Sequence, residues 1–176
     1  MKIGFTGTMS VGKTTLVNAL KELPEFKSYE FKTERSKYLR DLGIPLNTDS
    51  TLKGQIIFMA ERCSELYLPN IITDRTIVDV MAFTSLANSI PKNHKEIYRQ
   101  LSSKILSEYD FIFYISPEGV EIEDNGVRTT DPEYRSQVDN EITSILTEYE
   151  GCIQKLIKLN GTVEERVQKV KQTLNL

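Results

Sequence analysis

The sequence predicts an α/β fold, a five-stranded parallel sheet with helices on both of its faces. Short apolar runs typical of buried strands alternate with segments of helical period along the chain. One of these runs, residues 110–115, is almost entirely apolar, as expected of a central strand that is covered on both sides. No internal repeat, low-complexity tract or linker interrupts the alternation. We therefore expect residues 1–176 to form a single domain.

Turn signals divide the first half of the chain. The first helix ends before Pro24, because proline disfavours helical geometry in the residue before it, and Gly43 ends the second helix. The third helix is expected to bury one side, formed by Leu52, Ile56, Met59, Ala60 and Cys63. The predicted elements of this half are a strand at 3–6, a loop at 7–12, a helix at 13–23, a strand at 27–31, and helices at 34–42 and 51–67.

The second half continues the alternation. A stretch at 116–132 is rich in proline, glycine and acidic residues, which indicates a surface loop. Thr162 and Glu165 have the spacing of a capping box at the start of the last helix. The predicted elements are a strand at 70–73, helices at 78–87 and 93–109, a strand at 110–115, a helix at 133–149, a strand near 153–159 and a helix at 163–174.

Composition excludes several classes of protein. The 22 Lys and Arg residues against 25 Asp and Glu give a net charge of −3, which argues against general adhesion to a polyanion. No apolar run is long enough for a membrane span, and the amino terminus lacks the features of a leader, so we expect a cytoplasmic location. Cys63 and Cys152 form no metal-binding or disulfide pattern, and we expect both to face the core. His94, the only histidine, is expected to be exposed.

The first loop contains a complete G-x-x-x-x-G-K-[ST] motif between a predicted strand and a predicted helix. Its glycines let successive N–H groups point at one anion, and the following helix adds its positive end. Lys13 supplies a mobile charge for the β- and γ-phosphates, and the Thr14 hydroxyl completes the shell of Mg²⁺. The motif therefore predicts a P-loop that binds a nucleoside triphosphate with Mg²⁺. The binding residues are expected to be Gly7, Thr8, Met9, Ser10, Val11, Gly12, Lys13, Thr14 and Thr15.

The third strand carries the second set of candidate residues. It ends at Asp74 and Arg75, rather than in the Asp-Glu that is usual in motor ATPases, and the base-reading Asn-Lys-x-Asp of switch GTPases is absent. A carboxylate at the end of a strand beside a P-loop can hold Mg²⁺ directly or through water. Arg75 would then face the transferring phosphoryl group or the acceptor. An exposed Asp–Arg turn is the alternative interpretation.

These segments carry a family resemblance. Asp74-Arg75-Thr76, with Ala82-Phe83 after it, resembles the Asp-Arg-(Ser/Thr/Tyr) segment of thymidylate kinases and the Glu-Arg-Ser segment of deoxynucleoside kinases. The whole chain is most similar to the P-loop kinase family typified by the nicotinamide riboside kinase domain of the bacterial NAD regulator NadR, many of whose small members are phage-encoded. The likeness is carried by the P-loop, Thr33-Glu34-Arg35 with Leu42-Gly43, the Asp-Arg segment, and Asp124-Asn125-Gly126-Val127-Arg128.

The resemblance implies an acceptor carboxylate just after the second strand. Glu34 holds that place and would accept or orient the proton of the attacking hydroxyl, while Glu30 on the strand is its competitor. Glu34 could alternatively serve as an acidic first-turn residue of the short helix. Lys37 stands where relatives often have arginine, so Arg35 or Arg40 could replace that anion contact. Further weak candidates for the acceptor pocket are Asn47, Asp49 and Gln55 for hydrogen bonds and Tyr38 or Phe58 for stacking.

A lid is expected at about 117–132. Arg128 lies within it and Arg135 follows in the next helix, so both could swing over the phosphates, neutralise their charge and exclude water. Asp124 and Asn125 would anchor the lid and Gly126 would permit its turn. The alternative is an acidic surface loop with no role in catalysis.

Three functions remain open at this stage. The first is transfer of the γ-phosphate of ATP to a nucleoside, a nucleotide or a similar small molecule. The second is phosphorylation of a hydroxymethylated base within DNA, which the acidic pI of 5.4 disfavours because it needs a basic groove. The third is an ATP-dependent regulatory switch. The sequence leaves the acceptor, the preference for ATP over GTP and pairing as a homodimer undecided.

Overall fold

Strands and helices occur in the expected alternating order. The computed structural model describes residues 1–33, 35–120 and 131–176. The strands are β1 (Lys2–Thr6), β2 (Glu30–Lys32), β3 (Ile71–Thr73), β4 (Phe111–Ile115) and β5 (Leu156–Leu159). The helices are α1 (Lys13–Lys21), α2 (Ser36–Asp41), α3 (Leu52–Glu65), α4 (Ile77–Leu86), α5 (Lys92–Leu106), α6 (Pro132–Glu148) and α7 (Val163–Leu174).

The five strands form one parallel sheet in the order β2-β3-β1-β4-β5. Because β1 is central, the loop that follows it lies between the carboxyl ends of β3 and β4. The order therefore reverses beside this loop, and open α/β sheets bind their ligands at such a point. The predicted fold class is confirmed.

Two apolar layers cover the sheet. On one face, α1 and α7 pack on the sheet, and the buried Phe5 and Phe113 stack with ring centroids 5.3 Å apart. On the other face, helices α3 to α6 surround the fully buried Ile77, Ile112 and Ile142. The inner strands β1, β3 and β4 are thus buried on both sides, as expected of a parallel sheet, whereas the edge strands β2 and β5 are partly exposed.

Two strands begin later than predicted. A 3₁₀ turn at Pro24–Phe26 occupies the chain before β2, which therefore begins at Glu30 instead of residue 27. A second turn at Glu150–Cys152 occupies the chain before β5, and that strand begins at Leu156. Phe26 and Ile153 are buried next to these strands without pairing in the sheet. The apolar pattern alone therefore did not mark where β2 and β5 begin.

The buried face of α3 differs from the predicted one. Ile56 and Ala60 are exposed, whereas Gln55, Arg62 and Glu65 are buried. The prediction was based on apolar residues alone and therefore included no polar residue on the inner face of the helix. The polar side chains on the inner face of α3 find partners inside the protein, as buried polar groups do.

The two cysteines do not both face the core. Cys63 is half-buried, and Cys152 is exposed in the turn before β5, so the prediction is wrong for Cys152. His94 is exposed as predicted. Thr162 and Glu165 form the predicted capping box of α7. Within the described part of the chain, no helix has the length and apolar character that a bilayer crossing requires.

Candidate active site

The loop between β1 and α1 adopts a conformation that depends on glycine. Gly12, with φ of +82°, precedes the first residue of α1 and provides no side-chain cap, so the first N–H groups of the helix point outward. At Gly7, with φ of +149°, a Cβ atom would lie 2.6 Å from the carbonyl oxygen of Ile115. A helix start with uncapped N–H groups is a binding site for an anion.

Lys13 and Thr14 come at the start of α1 and point toward the loop and β3. The Lys13 ammonium donates to the carbonyl oxygens of Gly7 at 2.6 Å and Thr8 at 2.8 Å, so it lies inside the curve of the loop. The Thr14 hydroxyl donates to Asp74 Oδ2 at 2.5 Å, and Asp74 is fully buried. Three predicted residues from two separate segments thus meet at one place. The alternative interpretation of an exposed Asp–Arg turn is wrong, because Asp74 is buried.

The rest of the predicted loop residues surround the same place. Thr8, Met9, Ser10 and Val11 are buried, while Thr15 is exposed and lines the cavity beside the loop. The Thr8 hydroxyl donates to the carbonyl oxygen of Arg135 at 3.1 Å, which ties the loop to α6.

A capping box fixes the turn between β3 and α4. The Asp79 carboxylate accepts from the Thr76 N–H at 2.8 Å, and the Thr76 hydroxyl accepts from the Val78 N–H at 3.1 Å. This capping box was not identified from the sequence, although the Thr-x-x-Asp spacing signals it. The box holds the chain immediately after Asp74 and Arg75.

Arg75 lies on the other side of this turn. Its guanidinium is 3.9 Å from Asp79 Oδ1 and its Cζ is 5.2 Å above the ring of Phe83, with 12% of the side chain exposed. Tyr134 of α6 is also buried, and its hydroxyl has no hydrogen-bond partner among the described residues. Burial raises the pKa of Tyr134 to about 12, and the nearby positive charge of Arg75 opposes that rise. A small buried polar region therefore adjoins Arg75.

Arg135 contacts the loop between β1 and α1, residues 7–12, which is called the phosphate loop from here on. Its Nε donates to the carbonyl oxygen of Met9 at 3.2 Å, and its Nη1 donates to that of Val120 at 2.7 Å. Burial lowers the pKa of this guanidinium, and its Nη2 has no hydrogen-bond partner in the described ranges. A partly buried cation with an unused donor beside the loop is suited to a phosphate oxygen.

A cavity of about 260 Å³ opens beside the phosphate loop. One wall is the loop with Lys13 and Thr14, and the other is the connection from β5 to α7, including Gly161 and Thr162. Arg166 of α7 also lines it, is 5% exposed, and donates from Nη1 to the carbonyl oxygen of Val11 at 2.6 Å. Sequence reasoning missed Arg166, because nothing near it in the chain marks a partner 155 residues away.

Several acceptor candidates have other surroundings. Glu30 is exposed at the amino end of β2, opposite Ile71, and so lies at the wrong end of the strand to compete with Glu34. Gln55 is buried and accepts from the Thr84 hydroxyl at 3.3 Å. Asn47 and Asp49 belong to a 3₁₀ turn joined to the far end of α4 by a hydrogen bond from the Asn88 N–H to the Thr48 carbonyl oxygen.

The remaining candidates lie in or near α2 and α3. Phe58 packs against the apolar core, which favours a structural role. Arg35 pairs with Glu61 at 3.1 Å and lies above the ring of Tyr38, which is half exposed. Lys37 is exposed, and Arg40 pairs with Asp41 at the surface. The described contacts bring none of these to the phosphate loop.

Two predicted catalytic residues fall outside the described ranges. They are Glu34 and Arg128, together with the lid residues Asp124, Asn125 and Gly126. Their roles stay predictions. Val120, which is a described residue of the expected lid, does contact Arg135 beside the loop.

Comparison with known proteins places this geometry in context. A family model described as an AAA domain matches residues 2–166. No curated protein matches the chain significantly. The structure is similar to that of deoxyadenosine kinase from M. mycoides with dCMP and dCDP bound, with a TM-score of 0.70, 19% identity, and coverage of 99% of this chain and 98% of that one.

Two structures of NadR have a similar fold. NadR in complex with NR gives a TM-score of 0.78 at 20% identity, and NadR with NAD and AMP-PNP gives 0.74 at 18%. Each alignment covers 99% of this chain but only 51% and 49% of NadR, so the chain spans about half the length of that protein. The resemblance stated from sequence motifs is confirmed at the level of the fold.

Proposed function

The chain belongs to the AAA domain family, and from that premise we propose that it is an ATP-dependent kinase acting on a nucleoside, a nucleotide or a similar small acceptor. The observation that carries the proposal is the contact of Thr14 with Asp74 beside the phosphate loop, followed directly in sequence by the buried Arg75. In this arrangement ATP would bind on the side of Thr14 and Asp74. The acceptor would bind on the side of the Arg75 guanidinium. Proteins of the same fold include a deoxyadenosine kinase and NadR bound to NR.

On the donor side, the phosphates of ATP would lie against the outward N–H groups of the loop and the Lys13 ammonium. The nucleoside would extend into the cavity toward Gly161 and Thr162. Arg135 would contribute its unused Nη2 donor to a phosphate oxygen. These groups neutralise the charge that develops on the transferring phosphoryl group without reorganisation of solvent.

Thr14 and Asp74 fit a Mg²⁺ ion. A hydroxyl and a carboxylate are the hard oxygen ligands that this ion prefers, and their oxygens are already within 2.5 Å of each other beside the loop. When bound, the ion would neutralise charge on the β- and γ-phosphates. Asp74 is fully buried at the end of β3, where a bound cation would offset the cost of burying a carboxylate.

On the acceptor side, Arg75 would orient the acceptor hydroxyl or contact the transferring group. Its guanidinium is held between Asp79 and the ring of Phe83, so its direction is restricted. Glu34 follows β2, whose carboxyl end is next to that of β3, and we propose it as the residue that accepts or orients the hydroxyl proton. Arg128 of the lid, residues 117–132, would close over the phosphates.

The two alternatives differ in the product that they form. A switch ATPase would hydrolyse ATP without an acceptor, and a kinase for modified DNA would need a long basic surface. Arg75 is largely buried beside Phe83 and Tyr134 and is not part of an extended basic surface in the described contacts, which favours a small acceptor over a duplex.

A panel of acceptors tests the proposal. ATP and Mg²⁺ are incubated with nucleosides, nicotinamide riboside, nucleoside monophosphates and hydroxymethylated DNA, and phosphorylated products are identified. We expect transfer to at least one small acceptor, its loss in Lys13→Ala, and its retention in Lys21→Ala, an exposed lysine at the other end of α1. ATP hydrolysis that is unchanged by every acceptor, with no phosphorylated product, would contradict the proposal and favour the switch.

A further inference from the structure

A buried ion pair lies on the inner face of α3. Arg62 Nη2 donates to Glu65 Oε1 at 2.7 Å, and their side chains are 3% and 9% exposed. The fully buried Tyr109 interacts electrostatically with both. The Arg62 Nε has no hydrogen-bond partner in the described part of the chain. The ion pair is therefore buried, and not all of its hydrogen-bonding groups are satisfied by the described residues.

Stability alone does not account for such a pair. Removing two charges from water costs several kcal/mol per ion, and apolar residues of similar volume are often as stabilising as the pair or more so. A buried ion pair is therefore weak evidence for a role in stability. The contacts that the pair makes outside α3 are the better guide to its role.

Those contacts lead to the turn after β3. Arg62 Nη1 donates to the carbonyl oxygen of Arg75 at 3.4 Å. That carbonyl lies between Asp74, which meets Thr14, and Thr76, which caps α4. The guanidinium thus contacts the backbone at the point where the proposed metal ligand and the proposed acceptor arginine are adjacent.

The same charges extend toward the end of β2. Glu61 Oε2 is 3.9 Å from Arg62 Nη2, and Glu61 Oε1 is 3.1 Å from the Arg35 guanidinium. Arg35 follows β2 and directly precedes α2. One helix therefore connects the carboxyl ends of two neighbouring strands, both of which carry proposed active-site residues.

We propose that Arg62 is a positioning residue that holds the backbone of the Asp74–Arg75 turn for phosphoryl transfer, and that Glu65 fixes the Arg62 guanidinium in the required direction. The inference rests on the proposed function for its kinetic consequence. Neither residue needs to touch ATP or the acceptor. Replacing a residue that orients an active-site group without touching the substrate typically lowers activity about 10- to 100-fold.

The environment of Glu65 gives this role a pH dependence. Burial raises the pKa of Glu65 to about 7, against the lowering effect of Arg62. The other charged groups that face it are Glu61 of α3, Lys32 of β2, Arg35 and the phenol of Tyr109. Between the usual carboxyl pKa of 4.5 and about 7, the folded protein binds this proton more than the unfolded chain does, so this group's contribution to stability decreases as pH rises.

The effect of pH on kcat should be opposite to its effect on stability. As pH falls through about 7, Glu65 becomes protonated and no longer fixes Arg62, so kcat decreases while this group makes the fold more stable. A purely structural pair would lower activity and stability together. The two measurements therefore separate positioning from folding.

The experiment compares wild type with Glu65→Gln and Arg62→Lys. Glu148→Gln is the matched control, because Glu148 is also a helical glutamate bonded to an arginine, Arg99, but half of its side chain is exposed. We measure kcat and KM across about pH 6 to pH 8, the midpoint of urea unfolding, and hydrogen exchange of the backbone amides at 73–77.

We expect both α3 variants to lower kcat about 10- to 100-fold with little change in KM for ATP, and to accelerate exchange at 73–77. Glu65→Gln should also remove the acidic decrease in kcat, and Glu148→Gln should behave as wild type. Unchanged kcat and unchanged exchange in both α3 variants would overturn the inference, as would a kcat loss that only follows the loss of folded protein.

The exchange measurement keeps the inference separate from the kinase assignment. If wild type phosphorylates no acceptor, the proposed function fails, but exchange at 73–77 still decides whether Arg62 holds the turn. Unchanged protection in Arg62→Lys and Glu65→Gln would then overturn the positioning role, and faster exchange relative to Glu148→Gln would support it.

Discussion

At the scale of single residues, Thr14 and Asp74 make the most informative contact in the molecule. They are 60 residues apart in sequence, yet their side-chain oxygens are 2.5 Å apart because β3 is the neighbour of β1. Asp74 is fully buried, so the contact is not one made at a surface turn. Under the proposed function, its purpose is to hold Mg²⁺ beside the phosphates.

Replacing Asp74 by asparagine tests that purpose. Asn has nearly the same shape and keeps an oxygen that can accept from Thr14, but it removes the negative charge. We expect the rate of transfer to fall about 100-fold or more and the Mg²⁺ concentration for half-maximal rate to rise. Steady-state kinetics at a series of Mg²⁺ concentrations measures both effects.

The matched control is Asp110→Asn. Asp110 directly precedes β4 and therefore lies at the amino end of the parallel strands, opposite the end that carries Asp74. Like Asp74, Asp110 is an aspartate next to a strand. Its Oδ2 accepts from the Lys2 N–H at 2.7 Å, which indicates a structural role. We expect this variant to keep its Mg²⁺ dependence. An Asp74→Asn enzyme with the wild-type rate and Mg²⁺ dependence would show that the metal is held elsewhere.

Sequence could predict some of these residues and not others. The phosphate loop and Asp74 were predictable because motif spacing and strand order bring them together. Arg166 was not, because its contact with the Val11 carbonyl oxygen depends on how α7 packs against α1. Arg62 and Glu65 were missed because a count of apolar residues assumes that the inner face of a helix is apolar.

At the scale of elements, two helices begin with the same capping box but in different places. Thr76 and Asp79 begin α4 directly after the proposed active-site turn, whereas Thr162 and Glu165 begin α7 at the surface. The first box is buried and the second is exposed. Similar local chemistry therefore has different consequences for the site.

Alanine at each threonine separates local stability from catalysis. We expect Thr162→Ala to lower the free energy of unfolding by about 1 kcal/mol, because one helix cap is lost, and to leave kcat almost unchanged. Because Thr162 also lines the cavity, any effect on transfer should be confined to the KM for ATP. Thr76→Ala should cost at least as much, since its partner Asp79 is buried, and should also lower kcat because Arg75 is the preceding residue.

Urea unfolding and steady-state kinetics on the two variants check this prediction. Equal effects of both substitutions on kcat, after correction for the folded fraction, would mean that the capping box of α4 has no influence on the Asp74–Arg75 turn.

The boundaries of elements were less predictable than their order. The five strands and seven helices of the described residues occur in the predicted order, because apolar periodicity reports burial over many residues. The starts of β2 and β5 moved by up to three residues because 3₁₀ turns there bury Phe26 and Ile153 without joining the sheet. A buried residue next to a strand looks the same in sequence as a residue within it.

At the scale of the whole molecule, the proposed donor site joins elements that are distant in the chain. The cavity is formed by the loop after β1, Val120 and the start of α7, while Arg135 ties α6 to the same loop. Any ligand in the cavity therefore contacts both the beginning and the end of the described chain. Binding there should stabilise the fold as a unit, because the unfolded chain has no such cavity.

The last prediction measures that linkage. With Mg²⁺ and a non-hydrolysable ATP analogue at about 100 times its Kd, we expect the free energy of unfolding to rise by about 2.7 kcal/mol. Lys13→Ala should lose most of this gain at the same ligand concentration, because its ammonium lies inside the phosphate loop, whereas Lys21→Ala should retain it. Urea unfolding with and without ligand measures the change. Equal stabilisation of the two variants would show that the analogue binds away from the loop, and the donor site would then have to be placed elsewhere.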